Sequence, residues 1–230
     1  LKYSEAFRST QGQAPQGFRV VKEIKDETRH VTAYVSTLSV MPQEMVIGFD
    51  CTLGAVFSLK NRFFLSADWW QNLMAWPMEL SVGTEEYLVH DGFLREYRTF
   101  RAEVMNWIDI YRPSLIRVPG FSQGEAHSVL TTRDALHNFK AMEIHGVGFG
   151  GPRLYEGRAA HEFTQALAQA PVPCSYTQIR QWGDPVPHSV PALAGYRHVG
   201  KVQYVGHYRF GFHPSVHNGD AYIKALESAE

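Results

Sequence analysis

A chain of 230 residues is long enough for one domain with a sizeable core, and 44% of its residues are hydrophobic. A formal net charge of −1 excludes the basic stripe of a dedicated nucleic-acid binder, and two cysteines, Cys51 and Cys174, exclude a disulfide scaffold. No apolar run is long enough to span a bilayer and no charged-then-apolar leader is present, so a soluble protein is expected, with its compartment unspecified and peripheral lipid contact left open.

Residues 1–17 are polar and rich in Gln and Ser, which predicts a loosely packed N-terminal arm. FRVVKEI (18–24) and HVTAYVSTL (30–38) are β-branched and aromatic, and the polar KDETR between them predicts a hairpin. MVIGF (45–49) has the fully apolar character of a short buried strand. From Asp91 to Tyr111, Phe93, Tyr97, Phe100, Val104, Trp107, Ile108 and Tyr111 recur at three- and four-residue steps, the spacing of an amphipathic helix that must stop before Pro113. LIRV (115–118) then reads as a strand, Gln123 to about Asn138 as a helix, and MEIHGVGF (142–149) as another strand. A helix over roughly 156–169 ends before Pro171. SYTQIRQW (175–182) follows as a strand, HVGKVQYV (198–205) as an edge strand or hairpin arm, and DAYIKALES (220–228) as a terminal helix. Strands alternating with helices predict an α/β fold, a parallel or mixed sheet covered on both faces. No repeat, low-complexity tract or linker divides the chain, so residues 1–230 are expected to form a single domain.

The chemistry centres on Gly120-Phe121-Ser122-Gln123-Gly124. A G-x-S-x-G string is common by chance, but here a strand leads into it and a helix leads out. That is the sharp turn which lifts a serine hydroxyl above a sheet edge. The helix beginning at Gln123 aims its free N–H groups at the same place, where they can bind a developing oxyanion. A serine nucleophile needs a base, and the base an orienting acid, in the chain order Ser, Asp or Glu, His. Asp184 lies in a proline-braced loop after the strand 175–182, whereas Asp134 falls inside a helix, Asp91 precedes the serine and Asp220 caps a helix. His217 is the preferred base, with His213 and His207 as alternates. Pro214 breaks any helix that would align His213 with His217, and no acid or cysteine has ligand spacing, so neither metal nor cofactor is expected.

The ordered succession of elements resembles the class 3 lipases, the family of fungal triacylglycerol lipases and their bacterial and plant relatives. TAYVSTLSVMPQEMVIGFDCT (32–52) is similar to the family's strand pair ending in Phe-Arg-Gly-Thr or -Ser, and DWWQNL (68–73) to its Asp-Trp-x-x-x-Leu segment. VHDGFLREY (89–97) is similar to Val-His-x-Gly-Phe-x-x-x-Tyr, and VPGFSQGEA (118–126) occupies the place of Thr-Gly-His-Ser-Leu-Gly-Gly-Ala. GFGGPRLYEGRAAHEF (148–163) and GDPVPHSVP (183–191) correspond to the Phe-Gly-x-Pro-Arg-Val-Gly and Asp-x-Val-Pro-x-x-Pro elements.

The resemblance implies an α/β-hydrolase-like fold, with a mixed, mostly parallel sheet and helices on both faces. It implies Ser122 as nucleophile, Asp184 as acid and His217 as base. It also implies Thr52 in the oxyanion loop, with the backbone N–H of Gln123 as second donor. Residues 53–67 (LGAVFSLKNRFFLSA) would be a lid that hides apolar surface in water and offers it to lipid. The expected activity is hydrolysis of lipid or small esters through an acyl-enzyme, with transient contact at a lipid interface and no nucleic-acid partner.

Three departures from the family pattern bear on that expectation. Phe121 replaces the histidine before the serine, Glu125 the second glycine after it, and Asp50-Cys51 the Arg-Gly before Thr52. A carboxylate in the first turn of a helix suits the helix dipole, but one pointed inward is expected to oppose an oxyanion. The rival expectation is therefore a catalytically weakened, lipase-like protein that binds lipid without cleaving it.

Overall fold

The β-branched run at 18–24 has to find a partner for its backbone, and it finds one in the run that follows it. The computed structural model describes residues 1–25, 31–38, 43–50, 77–82, 85–190, 192–208 and 210–229. After a first helix, α1 (Tyr3–Ser9), strands β1 (Phe18–Lys25) and β2 (Val31–Leu38) pair antiparallel, from Phe18 opposite Leu38 to Lys25 opposite Val31. β3 (Glu44–Phe49) joins β2 antiparallel, with Ala33 opposite Phe49.

The order continues with β4 (Pro77–Val82), β5 (Glu85–His90), α2 (Asp91–Tyr111), β6 (Leu115–Phe121), α3 (Gln123–Asn138) and β7 (Glu143–Phe149). It closes with β8 (Tyr155–Glu156), α4 (Gly157–Gln169), β9 (Cys174–Gln181), β10 (Tyr196–Arg197), β11 (Lys201–Val205) and α5 (Gly219–Glu227). The main sheet has seven strands in the order β1-β2-β3-β6-β7-β9-β11, and its last five strands are parallel. The expected mixed, mostly parallel sheet is what forms. Parallel neighbours need long crossovers, and α2, α3 and α4 supply them. β11 lies at the sheet edge alongside β9 in parallel, so of the two expectations for 198–205 the edge strand holds.

Period-two alternation along the strands divides the core. On the face covered by α2, α3 and α4, Ile116, Val118 and Ile144 join Phe93, Leu94, Tyr97, Phe100, Val104 and Ile108 of α2 in one buried cluster. On the other face Phe121, Val147 and Phe149 meet Phe7 of α1 and Tyr222 and Leu226 of α5. Each such side chain contributes about 1.5–3 kcal/mol relative to its exposed state. Trp107 and Tyr111 are only partly buried and stack on each other, 5.7 Å between centroids.

One expectation is corrected. The first residues do not form a loose arm. α1 buries Ala6 and Phe7 completely or nearly so, and Phe7 meets the rings of Phe121, Phe149 and Tyr222 at 5.0, 5.2 and 5.9 Å. A second, antiparallel sheet in the order β10-β8-β5-β4 was not anticipated, and Val89 opposite Tyr155 ties the entry of α2 to the segment after β7. The strand expected at 115–118 also runs on to Phe121. Cys51, Thr52, the candidate lid 53–67 and the Asp-Trp segment 68–73 lie outside the described residues.

Candidate active site

A strand that feeds directly into a helix must turn within a residue or two. β6 ends at Phe121 and α3 starts at Gln123, so Ser122 makes the turn, with φ 55° and ψ −122°. Positive φ is costly for a residue with a Cβ. Among the described residues only Arg112 and Ser122 show it outside glycine. The turn folds back so closely that a Cβ on Gly120 would lie 2.1 Å from the Gly124 carbonyl oxygen, and one on Gly124 would lie 2.4 Å from that of Phe49. The spacing of two glycines about the serine is therefore a steric requirement of the turn. The Ser122 N–H donates to the carbonyl of Phe149 at 2.9 Å, which fixes the turn to β7.

Asp184 follows the end of β9, and His217 follows β11 after a short 3-10 turn, Pro214–Val216. Both loops leave the carboxyl ends of parallel strands, where open α/β sheets place their sites. His217 Nε2 is 2.8 Å from Ser122 Oγ, and His217 Nδ1 is 2.8 Å from Asp184 Oδ2. All three side chains are buried. Asp184 also accepts the Val186 N–H on Oδ1 at 2.9 Å and the Tyr222 hydroxyl on Oδ2 at 2.6 Å. Burial, then the Asp184 charge, pushes the Tyr222 hydroxyl well above its ordinary range, so it stays protonated and donates. An ionised Asp184 can only accept. Nδ1 of His217 must then carry the proton, leaving Nε2 free to accept from the serine hydroxyl. Beneath the imidazole, Phe121 stacks at 5.1 Å with an interplanar angle of 25°.

Gln123 opens α3, and its side-chain amide donates to Glu96 of α2, holding the first turn against that helix. Glu125 does point inward. Its carboxyl is taken up by N–H donors beneath the helix: Gly151 N–H on Oε2 at 2.6 Å and Gln178 Nε2 on Oε1 at 2.6 Å. Burial pushes this carboxyl up to about 7, opposed by the Gly151 N–H, Arg180 and Gln178.

The alternates lie elsewhere. His213 Nε2 is 3.0 Å from the Phe210 carbonyl, and His207 is exposed. Asp134 accepts from the Tyr97 hydroxyl at 2.8 Å and pairs with Arg101, while Asp91 pairs with Arg95 at 2.6 Å. Asp220 sits in the first turn of α5. Among the described residues no group of three His, Cys, Asp or Glu could hold a metal ion, and Cys174 is a free thiol. Tyr208, Phe210 and Phe212, between β11 and His217, are 68%, 89% and 66% exposed, a concentration of apolar surface beside the triad.

Sequence reasoning overlooked Tyr222 and the Gln178–Arg180 pair. Tyr222 carried a usable signal: it lies on the apolar stripe of DAYIKALES, and a buried tyrosine hydroxyl needs a polar partner.

Residues 65–194 match the family described as lipase (class 3), 130 of the 230 residues. The fold is similar to that of the Rhizopus microsporus var. chinensis lipase, with TM-score 0.63 and 18% identity over 82% of this chain and 61% of that one. It is also similar to Rhizomucor miehei triacylglyceride lipase, with TM-score 0.68 and 18% identity over 88% and 78% of the two chains. A Penicillium expansum triacylglycerol lipase gives TM-score 0.62 and 14% identity over 89% and 76%. The chain spans 61% of the Rhizopus lipase and 57% of the Rhizomucor lipase in its propeptide complex, less than two thirds of either. No curated protein matches the chain. Among the described residues no helix is long and apolar enough to cross a membrane.

Proposed function

The chain belongs to the class 3 lipase family, and we propose that it hydrolyses carboxylic esters of lipids with Ser122 as nucleophile, His217 as base and Asp184 as the orienting acid. The observation that carries this reading is the pair of 2.8 Å contacts joining the three side chains across 95 and 33 residues of sequence. As Ser122 Oγ attacks the ester carbonyl carbon, its proton passes to His217 Nε2. The carbonyl electrons move onto oxygen, with the N–H of Gln123, at the start of α3, and Thr52 as its donors in this reading. Collapse expels the alcohol, which takes the proton from Nε2, and leaves an acyl-enzyme ester on Ser122. Water then attacks the acyl carbon as His217 Nε2 takes its proton, and that proton passes to Ser122 Oγ as the ester bond breaks and the acid leaves. The exposed Tyr208, Phe210 and Phe212 favour a lipid ester, since a lipid would cover the apolar surface they present. This reading takes residues 1–230 as one hydrolase domain, because α1 and α5 share a core behind the turn at Ser122.

The test is hydrolysis of p-nitrophenyl esters together with labelling by a fluorophosphonate. Ser122→Ala is expected to abolish both, and labelling that survives the substitution overturns the assignment.

A further inference from the structure

The turn after β7 consists of two glycines, so no side chain of its own can anchor it. It is gripped from both sides instead. Gly150 lies directly against the acid limb: a Cβ there would come within 2.3 Å of the Tyr222 hydroxyl oxygen and 2.7 Å of Asp184 Oδ2. Gly151 donates its N–H to Glu125 at 2.6 Å. The other oxygen of that carboxyl receives Gln178 Nε2, and Gln178 Oε1 in turn accepts from Arg180 Nη2 at 3.0 Å. Room for the carboxyl exists only because Gly148 and Gly151 lack a Cβ, which would lie 2.1 Å from Glu125 Cδ and 2.3 Å from its Cβ, respectively.

We propose that Glu125 is a positioning residue that holds the Gly150–Gly151 turn in place and thereby fixes Asp184 and Tyr222 behind His217. The inference rests on the proposed hydrolase reading. The path is short: carboxylate to Gly151, one peptide to Gly150, and van der Waals contact to Asp184. Each oxygen accepts from an N–H donor, with Arg180 behind one of them; these contacts favour the ionised form, whereas burial favours the protonated one. Among the described residues the titratable groups around Glu125 are Arg180 and Tyr176 of β9, Asp184 in the loop after it, and Tyr222 of α5. Burial holds both tyrosines protonated, whereas Glu125, pushed up to about 7, changes charge near neutrality.

The experiment compares wild type, Glu125→Gln and Glu125→Asp between pH 5 and 9. It measures hydrolysis of p-nitrophenyl butyrate and the proton resonance of His217 Nδ1–H. Glu125→Gln is expected to lower kcat about tenfold with KM little changed, the loss of one charge-assisted hydrogen bond. It is also expected to remove one protonation from the acidic limb of the rate profile and the matching inflection from the resonance. Glu125→Asp should restore both in part. A Gln variant with wild-type kcat, profile and resonance overturns the proposal. Absence of hydrolysis in the wild type overturns the hydrolase reading instead, and the resonance still decides whether Glu125 is coupled to the acid limb.

Discussion

Replacing Glu125 with Gln should change how stability depends on pH as well as how fast the protein turns over. The carboxyl ionises near 4.5 when solvated and near 7 in its buried place beneath α3. Between those values the native state holds a proton that the unfolded chain has released. The contribution of this group is therefore fully present below pH 4.5 and is lost as pH rises through about 7. At about 1.4 kcal/mol for each tenfold change in proton affinity, the full loss is about 3 kcal/mol. For a chain of this length that corresponds to roughly 6–12 °C in Tm. A neutral glutamine cannot contribute this dependence. The difference in unfolding free energy between wild type and Glu125→Gln, from urea titrations at half-unit steps from pH 4.5 to 8, should move by about 3 kcal/mol in favour of the variant. The other titrating groups are common to both proteins, and those not coupled to Glu125 cancel in that difference. A difference independent of pH would show that the carboxyl is not held in a buried, ionisable state beneath α3.

Two further substitutions test the surroundings of the triad. Tyr222→Phe removes the hydroxyl that donates to Asp184 Oδ2 at 2.6 Å while keeping the ring in its core, so steady-state kinetics should show kcat lowered about 10- to 100-fold at nearly constant KM. Phe7→Ala empties a fully buried site against Phe121, Phe149 and Tyr222, and denaturant unfolding should report about 3–5 kcal/mol of lost stability.

What could be read from the chain depended on how far apart the interacting residues lie. The turn at Ser122 was legible because strand, glycine spacing and helix all fall within a dozen residues. α2 was legible because its apolar positions repeat along one face. Its buried set differs from the expected one at Leu94, Trp107 and Tyr111, where tertiary packing selects the stripe. α1 was not legible. Seven residues with two main apolar anchors, Ala6 and Phe7, carry no period, and the helix exists because the back of the sheet covers it. The second sheet escaped notice because β5 is short and meets β8, a strand of two residues, through a single pairing. Position along the chain singled out His217, whereas the setting of Glu125 depends on partners 26 and 53 residues away, which no local pattern connects.

Phe121, the residue that departs from the family at the position before the serine, lies flat beneath His217. An aromatic face carries negative potential and attracts a cation laid over it. A neutral imidazole draws little from that attraction and an imidazolium draws more. In the proposed acyl transfer the ring would favour the imidazolium that arises midway, and the floor under the histidine would add to the electrostatic support that Asp184 is proposed to give from the side.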